Sequence, residues 1–170
     1  GMLTEEKKLG YVAAFPTSEV IRGLNAFTLG ATAVDSEIRV AVRYTGTWNN
    51  ADIESSTAEN LIADDVDVMA QHQNYPAAAQ TANDAGIWAI GYNSPMSEIV
   101  GEKYVTAPIW NWERFYRPTV QSVHADTWES DFYWKGLQEG IVDLSGWGPN
   151  VPEEVRTTVG KNRRELQNNS

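Results

Sequence analysis

The sequence lacks cysteine, long apolar runs and clustered basic residues, and each absence excludes a class of protein. Without cysteine, the chain has no disulfide framework, no thiolate metal site and no cysteine nucleophile. No stretch approaches the roughly 18 consecutive apolar residues of a transmembrane helix. The 13 basic residues are scattered among 23 acidic ones, and the formal net charge is −10. Because binding to a nucleic-acid backbone requires clustered Lys and Arg, we expect no nucleic-acid partner.

Motifs for phosphate binding, metal binding and catalysis are also missing. The turn at 13–18 reads Ala-Ala-Phe-Pro-Thr-Ser, which fits neither the dinucleotide-binding G-x-G-x-x-G pattern nor a P-loop. An acidic cluster at 64–67 falls in a helix-to-strand turn, where solvated carboxylates are expected. His72 and His124 have no third metal ligand at a recognisable spacing. No nucleophile, base and orienting group form a recognisable set, so we predict no enzyme, metal site or cofactor.

Strand-like and helix-like segments alternate along the first three quarters of the chain. This alternation with short connections predicts parallel βαβ units and therefore an α/β fold, a three-layer doubly wound parallel sheet. After residue 127 the sequence becomes aromatic and Gly-rich before a final helix. We therefore divide the chain into a ligand-binding lobe at 1–127 and a carboxyl-terminal segment at 128–170. The predicted strands are 8–15, 38–44, 66–71, 87–91 and 104–109, and the predicted helices are 18–34, 52–63, 76–84, 112–125 (with Pro118 kinking or shortening it) and 152–167.

Aromatic and amide residues follow the predicted strands at the points where those strands end. In an open α/β sheet, ligands bind beyond the carboxyl ends of the strands. Aromatic faces with amide hydrogen-bonding groups suit a flat, uncharged ligand better than a phosphate. We predict stacking by Phe15 and Trp48, and hydrogen bonds from the three polar side chains in the set. The predicted ligand-binding residues are Phe15, Trp48, His72, Asn74, Tyr92, Asn93, Trp110 and Trp112.

Eight stretches of the chain together have a specific wording: 8–16, 20–27, 45–48, 63–68, 89–94, 110–112, 140–144 and 152–155. In these stretches the chain resembles the basic membrane protein family. Members are substrate-binding lipoproteins of ABC transporters with a type I periplasmic-binding-protein fold. The resemblance implies that this chain is one lobe of such a protein, because it matches only the second half of the longer members.

The resemblance also implies a ligand, a partner and a location. Characterised relatives hold purine nucleosides between aromatic rings and bind the ribose with Asp and Lys. Here Asn93 stands where many relatives have Asp, and Trp110-Asn111-Trp112 stands where relatives place Lys. This exchange favours a purine base such as adenine over a nucleoside. In the full-length protein the resemblance implies an ABC transporter permease as partner and a periplasmic or membrane-anchored extracytoplasmic location.

The resemblance further implies that 128–170 returns to the other lobe in relatives, and that binding closes the two lobes about a hinge. The face that a partner lobe would cover is rich in Trp and Tyr, which favours a homodimer through that face. Two other functions stay open. One is the effector-binding lobe of a transcriptional regulator, which shares the fold. The other is a purine-processing enzyme.

Overall fold

The computed structural model describes residues 1–168, which form six strands and six helices. In chain order the elements are β1 (Lys8–Ala13), α1 (Ser18–Thr32), β2 (Arg39–Tyr44), α2 (Ala51–Ile62), β3 (Val68–His72), α3 (Ala77–Asp84), β4 (Trp88–Ile90), α4 (Ser97–Val100), β5 (Pro108–Trp110), α5 (Glu113–His124), β6 (Val142–Leu144) and α6 (Glu153–Asn168). Most predicted elements therefore occur where the sequence placed them. Among the described residues no helix is long and apolar enough to cross a membrane.

Four strands form a parallel sheet in the order β2-β1-β3-β4. β1 is central, and its Gly10 lies opposite Ala41 of β2 and Met69 of β3. β4 extends the sheet beyond β3, with Trp88 paired to Val68. The chain runs from β1 to one side of the sheet and then crosses to the other side. The topological switch point therefore lies between β1 and β3.

The alternation of side chains along β1 explains why helices cover both faces of the sheet. Val12 is fully buried on one face, where it packs with Leu61 of α2 and Ala78 of α3. The adjacent Tyr11 points to the other face and packs with Val20 of α1. The result is the three-layer α/β architecture that the sequence predicted.

The predicted fifth strand, 104–109, lies where expected and runs in the expected direction, but it does not form a regular strand over its whole length. The Val105 N–H donates to the Ala89 carbonyl (2.8 Å), so this segment runs beside β4 in a parallel sense. On its other side, the Ser145 N–H donates to the Ala107 carbonyl (2.8 Å). A regular ladder is short here because β4 has three residues and Pro108 has no N–H to donate. From Pro108 onward β5 pairs antiparallel with β6.

The two helices in the carboxyl-terminal part of the chain differ in how far they pack against the rest of the fold. Val151, two residues before α6, and Val155, in its first turn, pack against Val105 and Trp88. In contrast, none of the α5 residues, all within the described range, is buried. α5 continues through Pro118 to His124, so of the two predicted effects of the proline, a kink or a shortening, the shortening does not occur.

Candidate functional site

The carboxyl ends of the four parallel strands bring four of the predicted residues to one edge of the sheet. His72 is the last residue of β3. Phe15, Trp48 and Tyr92 lie in the loops that follow β1, β2 and β4. Because the switch point lies between β1 and β3, Phe15 and His72 flank the position where ligands bind in folds of this type.

These four side chains form a continuous series of ring contacts, which we call the aromatic row. Phe15 and Trp48 have ring centroids 5.6 Å apart at an interplanar angle of 54°. Trp48 lies 6.2 Å from the His72 ring at 59°. His72 lies 3.8 Å from the Tyr92 ring at 33°. Phe15, Trp48 and Tyr92 are half-buried. Each therefore packs partly against the fold and leaves part of its ring surface accessible to a ligand.

His72 is held neutral inside the row. Its side chain is buried, and its Nδ1 lies 3.5 Å from the Tyr11 hydroxyl. Desolvation lowers the pKa of His72 below its ordinary value, and the Glu19 carboxylate, 3.9 Å from Nε2, opposes this effect. Since desolvation is the larger cause, the ring is uncharged at neutral pH. A neutral imidazole both donates and accepts hydrogen bonds.

Glu19 supplies an acceptor at the far end of the row. The Tyr92 hydroxyl donates to Glu19 Oε1 (3.3 Å). Burial and the Glu19 charge raise the pKa of Tyr92 to about 12, so the phenol keeps its proton. Sequence reasoning missed Glu19. Its position in the first turn of α1, directly after the β1 loop, was the signal that could have found it.

The two predicted amide residues lie at the same edge, but the structure uses them differently. Asn74 is exposed, and its side-chain Nδ2 donates to Asn49 Oδ1 (2.7 Å). Its backbone N–H donates to the Trp48 carbonyl (3.2 Å), which ties the β3 loop to the β2 loop. Asn93 is exposed with φ +68°, and Asn is one of the few residues that adopt this left-handed conformation readily.

Trp110 and Trp112 form a separate stacked pair beside the row. Their ring centroids are 5.7 Å apart at 24°. Trp110 belongs to β5, whereas Trp112 is the half-exposed N-cap residue of α5. The Trp110 indole lies close enough to the Tyr92 phenol to act on its pKa, which it lowers against the larger effects of burial and Glu19. The pair is therefore joined to the aromatic row through Tyr92.

The side chains at this edge of the sheet suit binding by stacking and hydrogen bonding. In residues 1–168 no group of three or more His, Asp or Glu side chains is placed to hold a metal ion. The site consists of neutral rings, one carboxylate and exposed amides. Such a set can stack on a flat molecule and hydrogen-bond to its edge.

Known proteins similar to this chain include binding proteins of ABC transporters. The model of the family described as ABC transporter substrate-binding protein, PnrA-like, matches residues 1–169. A candidate ABC transporter glucose-binding protein of Haloferax volcanii is 44% identical over 168 residues, which are 99% of this chain and 43% of that protein. A purine-binding protein of Brucella abortus is 35% identical over 147 residues, which are 86% of this chain and 42% of that protein. This chain therefore spans less than half the length of these two relatives.

Solved structures agree with this fold. A transcriptional activator of the comK gene from Bacillus halodurans matches with a TM-score of 0.85 at 25% identity, over 99% of this chain and 59% of that one. An ABC transporter solute-binding protein from Conexibacter woesei matches with a TM-score of 0.74 at 15% identity, over 94% of this chain and 54% of that one. With the family match over nearly the whole sequence, this chain belongs to the PnrA-like family of ABC transporter substrate-binding proteins, as its resemblance to basic membrane proteins predicted.

Proposed function

We propose that this chain is one lobe of an ABC transporter solute-binding protein, and that its aromatic row binds a purine-like base. The observation that carries the proposal is the row itself, four rings in contact at the carboxyl edge of the sheet. A purine is flat and uncharged, so it can stack on Phe15 and Trp48 without requiring a counter-charge. Because the family is one of binding proteins, we propose no reaction.

The charges at the edge support a neutral ligand that donates hydrogen bonds. Glu19 Oε1 lies next to both Tyr92 and His72. A carboxylate at this position repels phosphate and attracts an amino group. An adenine-like base carries such an amino group. Asn74 and Asn93 add groups that both donate and accept, and Trp110 with Trp112 would wall the pocket.

A sugar is the second candidate ligand, because the relative that is 44% identical is described as glucose-binding. Aromatic rings also stack on the apolar C–H face of a sugar, and amides hydrogen-bond to its hydroxyl groups. The two ligand classes can be distinguished by substitution, because each depends on different side chains for its affinity. A purine depends on ring stacking at Phe15 and Trp48, whereas a sugar depends more on Asn74 and Asn93.

Titration followed by the indole N–H signals of ¹⁵N-labelled protein would test the ligand, because this method detects weak binding. We expect adenine to shift the Trp48 and Trp110 signals and glucose to leave them unchanged. F15A should weaken adenine binding at least tenfold. L29A removes an apolar side chain that is 69% exposed on α1 and outside both the site and the exposed ring face, so it is the control. Shifts caused by glucose alone would establish the sugar; shifts caused by neither ligand would overturn the proposed site.

The proposal extends to the whole protein. We propose that the remainder of the polypeptide supplies the opposite wall of the site and closes on it, and that 128–170 contributes to that second lobe. The full protein would be extracytoplasmic and deliver its ligand to an ABC transporter permease. In the absence of the second lobe, the exposed rings of Trp112, Phe132 and Trp134 would favour a homodimer, which sedimentation would detect.

The effector-binding lobe of a regulator is the second candidate function. It is favoured by the similarity to the transcriptional activator from Bacillus halodurans. In both functions the ligand would bind at the same edge of the sheet, so the two are distinguished by the polypeptide that precedes this lobe. A DNA-binding segment there would establish the regulator, and a matching first lobe would establish the transport protein.

A further inference from the structure

Trp48 lies on a short turn, 45–50, that is anchored from below by two buried polar side chains. Gln73 Nε2 donates to Thr45 Oγ1 (2.7 Å), and the Thr45 hydroxyl in turn donates to the Thr47 carbonyl (2.8 Å). At the other end of the turn, the Asn50 N–H donates to Glu54 Oε1 (3.3 Å). The position of the Trp48 ring in the aromatic row therefore depends on both anchors.

Both anchoring side chains contain a buried oxygen without a hydrogen-bond donor. Glu54 and Gln73 are fully buried, and Glu54 Oε2 and Gln73 Oε1 have no hydrogen-bond partner among residues 1–168. A buried acceptor without a donor is unfavourable, and a buried unpaired negative charge is more so. Each of these oxygens therefore lacks a donor, and a proton on Glu54 would remove the unpaired charge at Oε2.

No described cation lies where it could compensate a charge on Glu54. α2 packs against β1, β2 and α3. Lys8 of β1 donates to the Asp64 carbonyl, and Arg43 of β2 pairs with the Asp64 carboxylate. Arg39, also on β2, donates to the Ser36 and Ile38 carbonyls. The remaining charged or titratable side chains of these elements are Tyr11, Tyr44, Asp52, Glu59 and Asp84.

We propose that Glu54 is uncharged in the binding-competent protein and acts as a positioning residue, which holds the 45–50 turn so that Trp48 completes the aromatic row. Protonation removes the buried charge from the carboxyl group, while Oε1 continues to accept from the Asn50 N–H. Loss of the proton places a bare charge under the turn and disfavours the arrangement that seats the indole. In agreement, burial raises the pKa of Glu54 to about 7.

The protonation is tested without any ligand. Infrared difference spectra of wild type minus E54Q should show the carbonyl band of a protonated carboxylic acid at pH 6, and the band should decrease above about pH 7. Absence of the band at pH 6 would overturn the inference. E59Q is the matched control, because Glu59 is an exposed carboxylate on the same helix.

The positioning role is tested through Trp48. The near-UV circular dichroism contributed by this indole, measured as wild type minus W48F, should change between pH 6.5 and 8.5. The same difference measured in an E54Q background should stay constant over that range. His72 also contacts the indole, but desolvation lowers its pKa, so the midpoint of its titration lies below this window. An equal change with and without Glu54 would refute the role.

The binding measurement rests on the proposed function. With adenine as probe, wild-type affinity should fall at least threefold from pH 6.5 to 8.5. E54Q should keep its affinity across that range, and E54A should bind weakly at both values. If adenine binds no variant while the infrared band and the Trp48 change are present, the proposed ligand fails and the assignment of Glu54 holds. Equal pH dependence of wild type and E54Q would refute the assignment.

Discussion

Replacing Glu54 by Gln is expected to change how the stability of the protein depends on pH. Gln has the size of a protonated Glu and carries no titrating group. Burial raises the pKa of Glu54 from 4.5 to about 7 in the folded protein, whereas the unfolded chain keeps the ordinary value. Between these two values the folded state holds a proton that the unfolded state has released. The proton-linked stability of wild type is therefore complete below pH 4.5, falls as pH rises, and is lost above about pH 7.

The size of this effect follows from the shift in pKa. Each unit corresponds to about 1.4 kcal/mol, so wild type should lose up to about 3 kcal/mol relative to E54Q between pH 4.5 and 7.5. His72 acts in the opposite direction. Desolvation lowers its pKa, so its contribution rises with pH through the region below its ordinary value. His72 is present in both proteins, and its contribution cancels in the difference.

Urea unfolding followed by far-UV circular dichroism at pH 5, 6, 7 and 8 provides the measurement. The free energies of unfolding of wild type and E54Q should diverge as pH rises and run parallel above pH 7.5. Wild type and E59Q should run parallel throughout, because Glu59 is exposed. Parallel curves for wild type and E54Q would show that Glu54 is charged in the folded protein, contrary to the reasoning from its burial.

Further substitutions test the fold and the ligand-binding edge. G148A should lower the free energy of unfolding by several kcal/mol, because the added Cβ would lie 1.7 Å from the Tyr104 carbonyl oxygen. G146A is the control: its added Cβ has no described atom within 4 Å, so it should cost less than about 0.5 kcal/mol in urea unfolding. L61A should cost about 2–5 kcal/mol in the same assay, since Leu61 is fully buried, and a smaller loss would mean that the cavity collapses. N93A should lower the free energy of unfolding by about 1 kcal/mol, because residue 93 has φ +68°. N93G should keep the stability but weaken adenine binding. Unchanged adenine binding by N93G would show that Asn93 is not part of the site.

The sequence predicted the architecture well because the sheet is built from strongly patterned segments. Alternation along β1 sends Tyr11 and Val12 to opposite faces, and such a pattern is local enough to read directly. The fifth strand was harder to predict. Whether 104–109 forms a regular ladder depends on the length of β4 and on the returning chain at Ser145, neither of which is a property of the segment itself.

The aromatic residues of the candidate site could be predicted from the sequence, whereas the carboxylic residues that support them could not. The order of the strands brings Phe15, Trp48 and Tyr92 together, so strand ends alone were sufficient to group them. Glu19 and Glu54 were missed because each is one acidic residue in the first turns of a helix, where carboxylates are common for reasons of helix stability. What distinguishes them is the surroundings that tertiary packing creates.

The open face of α5 has a consequence for which parts of the molecule unfold first. An isolated helix of about 12 residues is marginal in water, and packing against a partner surface usually stabilises it. Since no side chain of α5 is buried in the described structure, its backbone hydrogen bonds should open without disturbing the sheet. In the isolated chain, amide protons of α5 should exchange with solvent orders of magnitude faster than those of β1 and β3. Any partner surface that covers α5 should then be detectable as protection gained at these amides.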